Sequence, residues 1–424
     1  MSKARIILTH AIGNANVRAA LSGFQRGGNL QAFYTAFACF ENDLIYRLGA
    51  SGPLAEFRRR SYDSQLQSLT CQHPFRELGR MVATKLKLKS LTAHESGYFS
   101  IDKVLNELDA SLAHKILNNQ FKGANAVYAY EDGALNAFKA AKSRQMTCLY
   151  DLPIGYWRAA REMMKAEIDS HPEWAPTITG FNDSESKLLR KDSELQLADE
   201  IFVASSFTKS TLTYYPLTLD NIHVIPYGFP AVSQAKNYDY SKARKLKVLF
   251  VGGLSQRKGI AYLFEACQYF KQSVDLTVVG NTTGVDCPAL DQALNNCNWI
   301  PSLPHSEILK LMKSMDVLVF PSLFEGFGLV ITEAMSQGTP VITTERTIGP
   351  DIITHNQNGW IVEAGSSEGI KHCLQSIIDQ PDLLNEVGSN AYQSAAARPW
   401  SHYSNELNSS VESALNIHSI NLVR

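Results

Sequence analysis

The sequence predicts an α/β protein built from two parallel-sheet halves, and three observations carry that prediction. Short apolar, β-branched runs alternate with helix-length segments along most of the chain, the pattern of βαβ units. A polar, irregular stretch after Pro226-Tyr227-Gly228 interrupts the alternation, which then resumes more cleanly. The 424 residues also exceed what one hydrophobic core organises, at roughly 150 residues per domain.

In chain order, a first strand over 6–10 stops at Gly13-Asn14-Ala15-Asn16, and helical spacing follows over 17–24. Residues 40–125 fit the alternation poorly and read as a largely helical insertion. Strands at 126–129 and 147–150 then alternate with helices at 133–143 and 156–169. After a strand at 201–204, Ser205 or Ser206 caps a helix through Tyr214, and a strand covers 222–225. Beyond the break, a buried-type strand at 247–251 leads to strands at 276–279, 317–320, 341–343 and 360–362. Pro399 interrupts the chain before a last helix over 400–417. The expected organisation is a Rossmann-like domain over 1–228 with the insertion at about 40–125, a linker over 229–246, a second Rossmann-like domain over 247–398, and a terminal segment, 399–424.

Composition excludes several classes. With 45% hydrophobic and 19% charged residues, the chain buries enough apolar surface to fold rather than stay disordered. A net charge of -1 leaves no whole-chain field to hold a polyanion, so no nucleic-acid partner is expected. Seven cysteines, an odd number without zinc-knuckle spacing, read as reduced packing residues. There is no Asp-x-Asp, and the histidines are dispersed, so neither a metal nor a cofactor is expected. The first apolar run is too short for a signal sequence, and no stretch approaches about 18 apolar residues. The expected location is the cytoplasm.

Two segments carry chemistry. In FPSLFEGFGLVITEAMSQGTPVI, a strand runs into the glycine-bearing loop Glu325-Gly326-Phe327-Gly328 and a helix from about Leu329. Glycines admit close backbone approach, and free N–H groups at a helix start attract an anion. Glu325 and Glu333 can face one crevice, where carboxylates accept hydrogen bonds from vicinal hydroxyls; alone, Glu333 also suits a solvated first turn. In FVGGLSQRKGIAYLFEA, the pair Gly252-Gly253 follows a strand, and Arg257 and Lys258 precede Gly259. Cations at the C-terminal end of a parallel strand sit where ligands bind and can neutralise a pyrophosphate; alone, they are also ordinary loop charges.

These residues, together with Pro321-Ser322, Gly338-Thr339-Pro340-Val341-Ile342 and Asn358-Gly359, resemble the retaining nucleotide-sugar glycosyltransferases of family four. The match is specific over about 248–362. The resemblance implies a GT-B architecture: two Rossmann-like domains facing across a cleft, with a C-terminal helix opening at Trp400 that crosses back to the first domain. It implies a nucleotide-diphosphate sugar as co-substrate, with Lys258 on the pyrophosphate, Glu333 on the ribose, Glu325 on the transferred sugar, and the Gly326, Phe327, Gly328 and Leu329 segment on sugar and phosphates. Attack would come from the face of the departing phosphate, whose oxygen takes the acceptor proton.

Three departures shape the expected site. Gly252-Gly253 stands where the family commonly has Gly-Arg, so Arg257 is expected to supply the second phosphate cation. Leu149-Tyr150-Asp151-Leu152-Pro153 lacks the usual cleft histidine, which leaves Asp151 or Tyr150 for its role. The loop with Gly13, Asn14 and Asn16 either binds donor phosphate or acceptor hydroxyls, or only forms a turn.

Between residues 55 and 90, eight cations face Glu56, Asp63 and Glu77: Arg58, Arg59, Arg60, Arg76, Arg80, Lys85, Lys87 and Lys89. Such a face either attracts anionic lipids, placing the protein peripherally at the inner membrane face with a lipid-linked or other glycan acceptor, or is a solvated surface. Two other functions share the donor cleft: a nucleotide-sugar epimerase or hydrolase, and a non-catalytic nucleotide-sugar-binding protein.

Overall fold

The computed structural model describes residues 3–43, 46–47, 55–232, 236–241 and 243–423, apart from the side chains of 55–56 and 418–423. Seven parallel strands form the first sheet: β1 (Ile6–Thr9), β2 (Leu30–Thr35), β3 (Thr70–Gln72), β4 (Ala126–Tyr130), β5 (Thr147–Leu152), β6 (Glu200–Val203) and β7 (Ile222–Val224), ordered β3-β2-β1-β4-β5-β6-β7. Six more form the second: β8 (Leu246–Val251), β9 (Val274–Val279), β10 (Asn298–Ile300), β11 (Val317–Phe320), β12 (Val341–Thr344) and β13 (Trp360–Val362), ordered β10-β9-β8-β11-β12-β13. Helices cover both faces of each sheet, so the central strands IILT, AVYAY and VLVF are buried end to end.

The segment over 40–125 is helical at Phe75–Lys85 and Ile101–Leu117, but it also supplies the edge strand β3. Residues 44–45 and 48–54 of it lie outside the described residues, as do 233–235 and 242 of the expected linker. The rest of that linker is tied to the second domain: the Tyr238 hydroxyl donates to Gly338 O at 2.6 Å, and Lys236 Nζ to Thr339 Oγ1 at 2.9 Å.

Some elements depend on distant partners. The helix Leu135–Ser143 starts at Ala134, which has no side chain to cap it. Glu194 accepts from the Ala134 and Leu135 N–H groups at 3.0 and 3.2 Å, Asp109 from those of Asn136 and Ala137 at 2.8 Å each, and Arg190 bridges both carboxylates. Orphan donors of a helix start are thus met by tertiary contacts.

Each sheet reverses its order once, between β1 and β4 and between β8 and β11. Loops leaving the two strands at such a point diverge and open a crevice at their C-terminal ends. The helix Trp400–Val423 returns to the first domain against Ala15–Arg26, so closely that a Cβ on Gly23 would lie 2.3 Å from Ser404 O. The two crevices face each other: a Cβ on Gly326 would fall 2.0 Å from Pro153 O, and Gly326 O accepts from Ser205 Oγ (2.7 Å) and Thr208 Oγ1 (2.9 Å). The architecture is GT-B.

Candidate active site

The loop after β8 is shaped by its small residues. The Gly252 N–H donates to Val279 O at 2.9 Å, whereas a Cβ on Gly253 would meet nothing within 4 Å. Residue type, not lack of space, removes a cation there. Ser255 Oγ accepts from the Arg257 N–H and opens the 3-10 turn Gln256–Lys258. Gly259 ends the turn at φ 70°, where a Cβ would lie 2.0 Å from Pro321 O, so only glycine fits.

That turn aims both cations at the loop after β11. The Lys258 ammonium pairs directly with Glu325 Oε2. Arg257 Nη1 donates to Phe324 O at 2.6 Å and lies 3.6 Å from Glu325 Oε2. Burial, and then the Arg257 guanidinium, push the Lys258 ammonium down from its ordinary range. Burial likewise pushes Arg257 down. Two desolvated basic side chains thus share one carboxylate at the switch point of the second sheet, where ligands bind in such folds.

Gly328, at φ 90°, opens the helix Leu329–Ser336, whose first N–H groups have no partner within the helix. The Leu329 side chain is exposed, and Phe327 is buried against Tyr227 with ring centroids 4.7 Å apart. Glu333 lies on this helix but has its own partner, His305 Nε2 at 2.9 Å. Beyond β10, residues 301, 302 and 304 are exposed beside that pair.

On the facing wall, the expected residues Tyr150 and Asn16 are buried. Tyr150 is fully buried against Phe138, its hydroxyl donating to Glu194 Oε2 at 3.4 Å. Strand alternation turns it into the core, away from an acceptor. Asn16 is also engaged: its Nδ2 donates to the buried Tyr227 hydroxyl at 3.2 Å. Gly13 lies against Tyr62, and Asn14 alone of the three is exposed. Asp151 faces opposite to Tyr150, buried, and accepts from the Tyr128 hydroxyl at 2.6 Å; burial pushes its pKa up to about 7.

Three residues were not singled out from the motifs. His10 ends the first strand segment, its Nδ1 accepting from the Ile12 N–H at 3.0 Å and its ring 4.8 Å from Tyr130. Burial pushes its pKa down to about 4, so it is neutral. Glu131 follows β4 across the same switch point. His305 partners Glu333. Their common signal is position at the C-terminal end of a strand or a helix start, not residue spacing. Sequence spacing also hides a trio elsewhere, His94, Glu95 and Asp183, whose ligand atoms lie within 4.8 Å; Lys187 already donates to Asp183 there.

Two Rossmann-like domains facing across a cleft define the GT-B fold. Residues 236–394 match the family model described as glycosyl transferases group 1. Among curated relatives, the amylovoran biosynthesis glycosyltransferase AmsK of Erwinia amylovora is 28% identical over 142 residues, 30% of this chain and 35% of that protein. The chain spans 35–61% of the length of the first curated relatives it matches. Sucrose-phosphate synthase from Thermosynechococcus elongatus has the same fold, with TM-score 0.63 and 16% identity, covering 98% of this chain and 100% of that one. Anabaena HepE in complex with UDP gives TM-score 0.60 at 14% identity, covering 96% and 100%.

Proposed function

We propose that this protein is a retaining glycosyltransferase of family four that moves a sugar from a nucleotide-diphosphate sugar to a glycan, lipid-linked or small-molecule acceptor in the cytoplasm, without a metal. One observation carries the reading: Arg257, Lys258 and Glu325 converge where β8 and β11 diverge. A leaving diphosphate needs preorganised positive charge where its own charge develops. Lys258 and Arg257 supply it, the amides at the start of Leu329–Ser336 add to it, and Glu333, held by His305, offers a carboxylate acceptor to ribose hydroxyls. The UDP in the HepE complex makes UDP the first nucleotide to test. At a hundred times its Kd, a ligand adds about 2.7 kcal/mol of stability. UDP or UDP-glucose should therefore raise Tm, and a panel of nucleoside diphosphates that leaves Tm unmoved would refute the donor site. Product analysis then separates transfer from hydrolysis or epimerisation.

A membrane-presented acceptor has its own support. Arg60 and Arg80 are bound by the buried Glu77, and Arg76 pairs with Glu107, outside the 55–90 window, so fewer cations are open than the sequence count implies. Apolar surface takes up the difference. On and just after Phe75–Lys85, the side chains of Phe75 (59%), Val82 (56%) and Leu86 (62%) are exposed, with Leu88, Lys87 and Lys89 beside them. Positions 75, 82 and 86 share one helical stripe, the pattern of a helix lying in a lipid interface. No helix among the described residues is long and apolar enough to cross a membrane. In flotation with anionic vesicles at low salt, the wild type should float, and a variant with Phe75→Asp, Val82→Asp and Leu86→Asp should stay at the bottom. Equal recovery would refute the contact.

A further inference from the structure

A cavity of about 270 Å³ opens between the two domains beside the cation cluster, lined among others by Trp157, Arg161, Phe181, Lys191, Arg257 and Phe324. Its first-domain wall is made by Glu131, at the switch point after β4, and by the first two turns of the helix Trp157–Ser170 that follows β5. Three aromatic residues, Trp157, Phe181 and Phe324, are part of its lining and make it partly apolar. The charges on its walls are unequally answered. Lys191 has Glu131 and Asp183, each at 3.4 Å. Arg161 is different: it is exposed, its guanidinium carbon stands 5.2 Å from the Trp157 ring centre, and among the described residues its side chain donates to a backbone oxygen, Asp183 O, at 3.4 Å. Among the described residues it forms no ion pair with a carboxylate.

We infer that this cavity receives the acceptor and that the acceptor carries an anionic group, a phosphate or a carboxylate on a sugar-sized body, which Arg161 binds. The inference rests on the transferase reading. In that reading Lys258 and Arg257 on the second domain take the donor's diphosphate, so a guanidinium on the opposite wall meets the other substrate. Its planar fork matches either anion in two parallel hydrogen bonds.

Titration calorimetry of the full chain, in the presence of UDP, compares glucose, glucose 6-phosphate and glucuronate, with Arg161→Gln alongside. A charged sugar should bind about tenfold tighter than glucose, the worth of one charge-assisted hydrogen bond, and Arg161→Gln should remove that preference. Glucose 6-phosphate and glucuronate separate the phosphate from the carboxylate. Equal binding of the three sugars, no binding of any of them by protein that binds UDP, or a preference that survives Arg161→Gln would each overturn the inference and leave the donor reading standing. If Arg161→Gln weakens UDP instead, Arg161 serves the donor and the inference also fails. If the wild type does not bind UDP at all, the transferase reading falls with it.

Discussion

Lys258→Ala is expected to lower kcat by about 10²–10³-fold, the usual cost of removing one preorganised charge from a site where negative charge develops. Lys258 is the cation held most tightly in place: Gly259 fixes the turn beneath it, and Glu325 meets its ammonium. Arg257 lies next to it but is partly committed to Phe324 O. It can share the charge without replacing it, so the variant should keep some activity. The loss should appear in kcat more than in donor KM, because the diphosphate gains its full charge only as the sugar departs. Glu333→Gln should do the reverse, raising donor KM about tenfold, the worth of a hydrogen bond to a charged group, because the ribose does not change during transfer. Steady-state kinetics on both variants checks the assignment. Wild-type turnover in Lys258→Ala would remove the cation cluster from the mechanism.

The second domain was legible from sequence because its strands are short apolar runs bounded by glycine and proline, and β8, β11, β12 and β13 lie where that pattern puts them. The turn before Gly259 and the loop before Gly328 were legible too, since both place glycine at positive φ, which leaves a mark in the sequence. The first domain was harder. β3 is three residues, Thr-Cys-Gln, with no apolar pattern, held by pairing to β2. β10 is equally short and exposed at its edge. The orientation of Tyr150 follows from strand alternation only once the pairing of β5 is known. How many of the basic residues are paired was hidden, because Glu107, which pairs with Arg76, comes 31 residues later. Arg161 was invisible as a candidate because its importance lies in the carboxylate it lacks, a property of packing and not of spacing.

Asp151→Asn is expected to stabilise the protein by up to about 4 kcal/mol at neutral pH, an effect that fades as the pH falls to 4. In the fold the carboxyl accepts from the Tyr128 hydroxyl, and Tyr130, Tyr227 and Tyr403 surround it without supplying a cation. Burial pushes its pKa from 3.8 up to about 7. The sign follows from linkage. Below pH 4 the group is protonated in both folded and unfolded chains and costs nothing. Between pH 4 and 7 the unfolded chain ionises while the folded one resists, so stability falls by about 1.4 kcal/mol per pH unit, and above pH 7 the loss is complete. An asparagine keeps an oxygen for the Tyr128 hydroxyl and has no proton to lose. Urea unfolding of both proteins from pH 4 to pH 8 should therefore show curves that coincide at the acid end and separate steadily to pH 7. A separation independent of pH would mean that Asp151 is ionised in the fold at every pH tested, with a cation or solvent reaching it through the tyrosines. Turnover of the same variant decides its catalytic standing: a carboxyl that takes part in transfer loses activity as asparagine at all pH values, whereas one that only shapes the wall leaves kcat unchanged.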